Sequence, residues 1–135
     1  MIHSTELDRP VRVVVAGSRT ITDYNTVEQA LLDYLRGWVK RLPDVEIVSG
    51  GAEGVDSLAA YFAREYDLEY KEFAADWNQY GKAAGPIRNK RMAEYGDVLI
   101  AVWDGKSSGT QNMVDSALEA GNDVVVLQVD QREQT

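Results

Sequence analysis

Cysteine is absent from this 135-residue chain, which excludes disulfides, thiol nucleophiles and thiolate metal sites. Histidine occurs once, as His3 in a terminal stretch, so histidine-based catalysis is not expected. No apolar run approaches the ~20 residues that a membrane span needs. Met1 to Arg9 mixes charges of both signs without the apolar centre of a signal peptide, so a cytoplasmic, reducing location and no membrane partner are expected. A basic surplus is missing too: 14 Lys and Arg stand against 22 Asp and Glu, a formal net charge of -8. Nucleic-acid binders release counterions through a positive surface, so independent DNA or RNA binding is not expected.

What is present is an alternation of short β-branched runs with longer segments of helical period, the pattern of stacked βαβ units. Strands are predicted at Val11–Ala16, Val45–Val48, Glu69–Ala74, Val98–Trp103 and Val124–Val129. Helices are predicted at Tyr24–Leu42, Val55–Tyr66, Pro86–Tyr95 and Thr110–Ala120, with Thr22 or Asp23 as the cap of the first. A long loop is predicted between Asp76 and Gly85. Right-handed crossovers then give one doubly wound, Rossmann-like α/β domain over residues 11–130, with a mainly parallel five-stranded sheet of order 3-2-1-4-5. Residues 1–10 form an N-terminal extension and 131–135 a polar tail.

In such a sheet, ligands lie beyond the carboxyl ends of the strands, where helix N-termini converge. Three loops reach that place. The first carries Gly17-Ser18-Arg19, whose arginine suits a bidentate contact with phosphate or carboxylate. The second is Gly50-Gly51-Ala52-Glu53-Gly54, whose N–H groups are expected to cradle an anion, although the same glycines also suit a tight βα turn. The third, Gly105 to Thr110, ends in Ser108-Gly109-Thr110, where Thr110 either caps the helix or meets phosphate. Neither glycine loop has the Walker pattern or G-x-G-x-x-G.

Between Trp77 and Ala93 there is no acidic residue, but Lys82, Arg88, Lys90 and Arg91 form a basic island in an acidic chain. Lys82, Arg88 and Asn89 are candidates for the crevice, and a solvated helix face is the competing reading. Asp56 either offsets a helix dipole or binds ribose hydroxyls. Among Trp77, Tyr80 and Trp103, Trp77 is the one placed to stack on a base. No cofactor is required by these residues; a Mg²⁺ ion at Asp23 or Asp104 is left open, and no metal ligand set is assigned.

These segments, together with Ala75-Asp76-Trp77, Tyr80-Gly81-Lys82 and Ala84-Gly85-Pro86-Ile87-Arg88-Asn89, resemble the SLOG superfamily in its YspA-like branch, from Val11 to Val129. The resemblance implies a Rossmann-like domain that senses or processes nucleotides, nucleotide-derived signals or, in the DprA relatives, DNA, often in bacterial and phage conflict systems. The related LOG enzymes cleave the N-glycosidic bond of nucleoside monophosphates with a glutamate in a P-G-G-x-G-T-x-x-E segment. Aligned on Gly109-Thr110, that glutamate position is Met113, and Asp115 lies about 200° further round a helix. Binding of a small nucleotide-derived ligand is therefore the leading expectation. Hydrolysis through Asp56, Asp104 or Asp115 and a DNA-processing partnership are the alternatives, and a homo-oligomer through the helix containing Trp38 is a further possibility.

Overall fold

The computed structural model describes residues 9–38 and 44–129. Five strands lie parallel in the order β3-β2-β1-β4-β5: β1 Val11–Gly17, β2 Val45–Ser49, β3 Glu69–Glu72, β4 Val98–Trp103 and β5 Asp123–Gln128. This is the doubly wound α/β arrangement expected, and the chain reverses its winding between β1 and β4. The helices are α1 Tyr24–Trp38, α2 Val55–Glu65, α3 Trp77–Tyr80, α4 Ala84–Tyr95 and α5 Ser108–Glu119.

The central strands are buried on both faces, which is why β1 and β4 read as nearly continuous Val, Ile, Leu and Ala. Period-2 alternation then sorts their side chains into two cores. Val11, Val13 and Val15 meet Leu31 and Leu35 of α1 and Phe62 of α2, whereas Val14 and Ala16 meet Met92 of α4 with Met113 and Ala117 of α5. Phe62 is fully buried, and truncating a ring of that kind costs about 3–5 kcal/mol.

Several boundaries differ from the sequence reading. The span from Asp76 to Gly85 is ordered into α3, whose first turn is capped by the Asp76 carboxylate accepting the Gln79 N–H (3.1 Å), followed by a 3₁₀ turn over Gly81–Ala83. Helix α4 begins at Ala84, two residues before Pro86, because a first-turn proline lacks only an N–H that has no intrahelical partner. Helix α5 begins at Ser108, and its cap is Ser107. Strand β3 stops at Glu72, although Phe73 N–H still donates to the Ser49 carbonyl at 2.9 Å. The predicted end of α1 at Leu42, most of the N-terminal extension and the polar tail lie outside the described residues.

At the amino end of the sheet, Asp97 accepts both guanidinium nitrogens of Arg9 (2.7 and 3.0 Å) and the Arg12 N–H (2.9 Å). Burial alone would raise the Asp97 pKa, but these donors hold it below the usual carboxylate value. The Asp97 charge is thus matched within the chain.

Candidate functional site

At the carboxyl end a crevice of about 570 Å³ opens between the loops after β1, β2 and β4 and the α3–α4 segment. Its floor is tied together by Ser18, which is 1 % exposed. Ser18 donates its N–H to Val102 O (3.1 Å), its carbonyl accepts the Val55 N–H (3.3 Å), and its Oγ accepts the Asp104 N–H (2.9 Å). Three loops are thereby fixed to one another by one small residue. Gly17 allows the approach, since a Cβ there would run into the Val102 carbonyl and the Val55 side chain.

The loop after β2 is not the open anion cradle that its glycines suggest. The Asp56 carboxylate folds back over it, accepting the Ala52 N–H (3.2 Å), while Gly51 N–H donates to Ser49 Oγ (3.2 Å). Gly51 takes φ 74° and Gly54 φ 73°, so the glycines serve the turn geometry. Gly50, Gly51 and Gly54 stand behind the crevice wall, and Ala52 and Asp56 line it. The expectation of a cradle at 50–54 is corrected accordingly: the loop already holds an anion of its own. Burial pushes the Asp56 carboxyl up from its ordinary value, against the pull of the Ala52 and Gly50 N–H groups and the Arg88 and Arg19 charges.

The loop after β4 is built differently. Asp104 Oδ1 accepts the N–H groups of Lys106 (2.8 Å) and Ser107 (2.9 Å), Ser107 Oγ accepts the Thr110 N–H (3.3 Å), and the Trp103 indole N–H donates to the Ser107 carbonyl (3.0 Å). Although burial works against it, these backbone donors and Ser18 lower the Asp104 pKa. The N–H groups of Ser108 and Gly109 make no hydrogen bond among the described residues. They are first-turn donors of α5, projecting along its axis at the crevice, where the helix dipole is worth roughly half a positive charge. Space beside Gly109 is open, with no atom within 4 Å of where a Cβ would sit.

The basic island divides into two parts. Arg88 is committed to the framework: its Nη1 donates to the carbonyls of Gly50 (2.8 Å) and Phe73 (3.3 Å), and its Nε to Asn89 Oδ1 (3.0 Å). Burial lowers its pKa, with Asp56 opposing. Asn89 in turn donates to Gly109 O (3.3 Å) and Asn112 Oδ1 (2.9 Å), clamping α4 to α5. Arg19 and Lys82 also line the crevice, are exposed, and carry no hydrogen bond or ion pair among the described residues. Lys90 and Arg91 are exposed and lie outside the crevice lining. Trp77 stands at the rim, 52 % exposed.

Residues 11–80, just over half of the chain, match the model of the YspA, cpYpsA-related SLOG family. The chain belongs to that family. It is also 36 % identical over 121 residues to the Gene 61 protein of Mycobacterium phage D29, an alignment covering 84 % of this chain and 94 % of the relative. Among solved structures, DNA processing protein A (DprA) from Streptococcus pneumoniae superposes with a TM-score of 0.68 at 21 % identity, over 87 % of this chain and 50 % of that one. The Helicobacter pylori DprA, described for its single-stranded DNA binding mode, gives 0.65 at 19 % identity over 93 % of this chain and 72 % of its own. The chain thus spans about half the length of the pneumococcal protein, and both likenesses are of fold.

Within this SLOG-family chain, the loops after β1 and β4 bring Gly17, Ser18, Arg19, Asp104, Ser108, Gly109 and Thr110 together in the lining of one crevice. Asp115 is the catalytic candidate that the structure moves away. It is exposed on the outer side of α5, accepting from Gln111 Nε2 at 3.0 Å, because α5 turns residue 113 inward and residue 115 out. Met113 is 1 % exposed and helps to line the crevice. Asp23 lies outside the lining and accepts the Thr26 hydroxyl (2.9 Å) and the Asn25 N–H (3.3 Å) at the start of α1, so it caps that helix. Among the described residues no three His, Cys, Asp or Glu side chains converge as a metal site, and no helix is long and apolar enough to cross a membrane. Thr20, Ser107 and Asn112 line the crevice without having been singled out. Asn112 was discoverable, since it follows Gly109 by three residues on one helix face.

Proposed function

We propose that the crevice binds a phosphorylated, nucleotide-derived small molecule, with a phosphate on the Ser108 and Gly109 N–H groups. The observation that carries this reading is the pairing of those two unspent donors with two unspent cations, Arg19 and Lys82, around one opening in a chain of net charge -8. At the amino end of the sheet Asp97 is matched by Arg9 within the chain; here an outside anion completes the match. Trp77 at the rim offers a face for a base. The reading requires no cofactor. Calorimetry with nucleoside mono-, di- and cyclic phosphates beside the bare nucleosides tests it: phosphate-dependent binding is expected, and no heat from any nucleotide refutes it.

A second reading, N-glycosidic hydrolysis, is favoured by Asp56 alone, a carboxyl that lines the crevice and whose pKa burial raises. Against it stand the backbone donors that already occupy Asp56 and Asp104, and the thioether at position 113. Release of free base from a bound nucleotide, abolished in Asp56→Asn, would establish hydrolysis. The fold shared with DprA supports a third reading, contact with single-stranded DNA, for which the same Arg19 and Lys82 are available. A mobility shift with single-stranded DNA at physiological salt separates it from small-molecule binding.

A further inference from the structure

The two edges of the sheet are finished differently. β3 closes one side with four residues, of which Glu69, Lys71 and Glu72 are charged and exposed, as edges that stay unpaired usually are. β5 closes the other with Asp123-Val124-Val125-Val126-Leu127-Gln128, uncharged after its first residue. Val126 is 44 % and Leu127 40 % exposed, and among the described residues β5 pairs with β4 alone. An apolar, regular edge that no other described strand covers is a template for another strand.

Helix α5 extends this surface. Asn89 of α4 bonds to the Gly109 carbonyl, so the Gly109 side of α5 faces α4. Leu118 follows by nine residues, half a turn further round at about 100° per residue. It therefore lies on the flank toward the free edge of β5, and it is 60 % exposed.

We propose that β5 pairs antiparallel with β5 of a second copy of this chain, about a twofold axis at Val126, so that the two sheets become one. The strand is self-complementary in that register. Val126 meets its own copy, Val125 meets Leu127 on the α1–α2 face, and Val124 meets Gln128 on the α4–α5 face. The lone charge, Asp123, falls opposite Val129, so no like charges oppose one another even though each copy carries a net charge of -8. A six-residue ribbon alone buries less than the roughly 800 Å² per partner of stable interfaces, so Leu118 and its flank belong to the contact. The charged β3 edges cap the joined sheet, which makes the assembly a closed pair and not a filament. Antiparallel joining also sends the two crevices to opposite ends of the sheet, leaving both open.

Analytical ultracentrifugation of the full chain across the micromolar to millimolar range tests the pairing. Wild-type protein is expected at twice the monomer mass. Val126→Lys, which sets two ammonium groups against each other on the axis, is expected at the monomer mass with unchanged far-ultraviolet circular dichroism, and Glu69→Lys on the opposite edge is expected to stay a dimer. Amide hydrogen exchange of the unaltered chain supplies a reading independent of the variant: protection of β5 should rise with protein concentration. A wild-type monomer throughout the range, a Val126→Lys dimer, open-ended growth, or β5 protection that ignores concentration would each overturn the proposal; the last would mean that the chain covers its own edge.

Discussion

The loops after β2 and β4 look alike in sequence, each a glycine-rich turn from a buried strand into a helix, yet they are in opposite electrical states. At 50–54 the Asp56 carboxylate takes up backbone donors, and the positive-φ glycines shape a closed turn. At 105–110 the carboxylate is Asp104, at the start of the loop; it satisfies Lys106 and Ser107 and leaves Ser108 and Gly109 free. Where the acid falls relative to the helix decides which helix end carries a carboxylate of its own. An aspartate in the first turn of α2 places a carboxylate at that helix end and takes up the Ala52 N–H of the loop, whereas Asp104, six residues before Thr110, organises its turn and leaves the α5 end without a carboxylate of its own.

Glycine substitutions sharpen this contrast most. Gly51→Val should destabilise the fold by about 2–4 kcal/mol, from a β-branched residue at φ 74° and a Cβ pressed against the Glu72 carboxylate. Thermal denaturation reads it, and an unchanged melting temperature would contradict the geometry of the closed loop. Across the crevice from the open loop, in the loop after β1, Arg19→Ala should weaken nucleotide binding by about 1.5–3 kcal/mol and leave stability alone, the range for a charge-assisted contact. Calorimetry beside a melting curve separates the two quantities.

Gly109→Ala should split them in the other direction. Alanine is the better helix former by up to about 1 kcal/mol and meets no atom there, so the protein should melt slightly higher while binding phosphate less well. A loss of stability in that variant would mean that Gly109 is structural, like Gly51.

The smallest effect expected is one of pH. With its pKa raised by burial, folded Asp56 binds a proton that the unfolded chain releases between the ordinary aspartate value and the raised one. Its contribution to stability is therefore present below that window and lost as pH rises through it. Asp56→Asn should flatten this slope in denaturant titrations, while the opposite trend from Asp97, whose lowered pKa makes stability fall on acidification, persists.

Much of this was legible in the chain. Doubly buried strands such as Val98–Trp103 and the periodic face of α1 specify the sheet and its winding, because burial of apolar side chains at fixed periods leaves few topologies. Arg19 was placed by its position immediately after β1 and Gly109 by its place at the end of the glycine loop between β4 and α5. Asp115 and the 50–54 cradle were misjudged because both depend on where a side chain turns after the backbone is set. The ordering of 76–85 was missed because a one-turn helix held by Asp76 has no periodicity to read.

By itself the sequence determined the α/β class, the strand order and the convergence of three loops at one end of the sheet, all consequences of hydrophobic period and chain connectivity. Only the tertiary structure decided which donors and charges remain unspent there. Ser18, Asn89 and Arg88 are polar in sequence and become framework in space, since buried polar groups must find partners and take the nearest available. Arg19, Lys82 and the N–H groups of Ser108 and Gly109 are what that pairing leaves over.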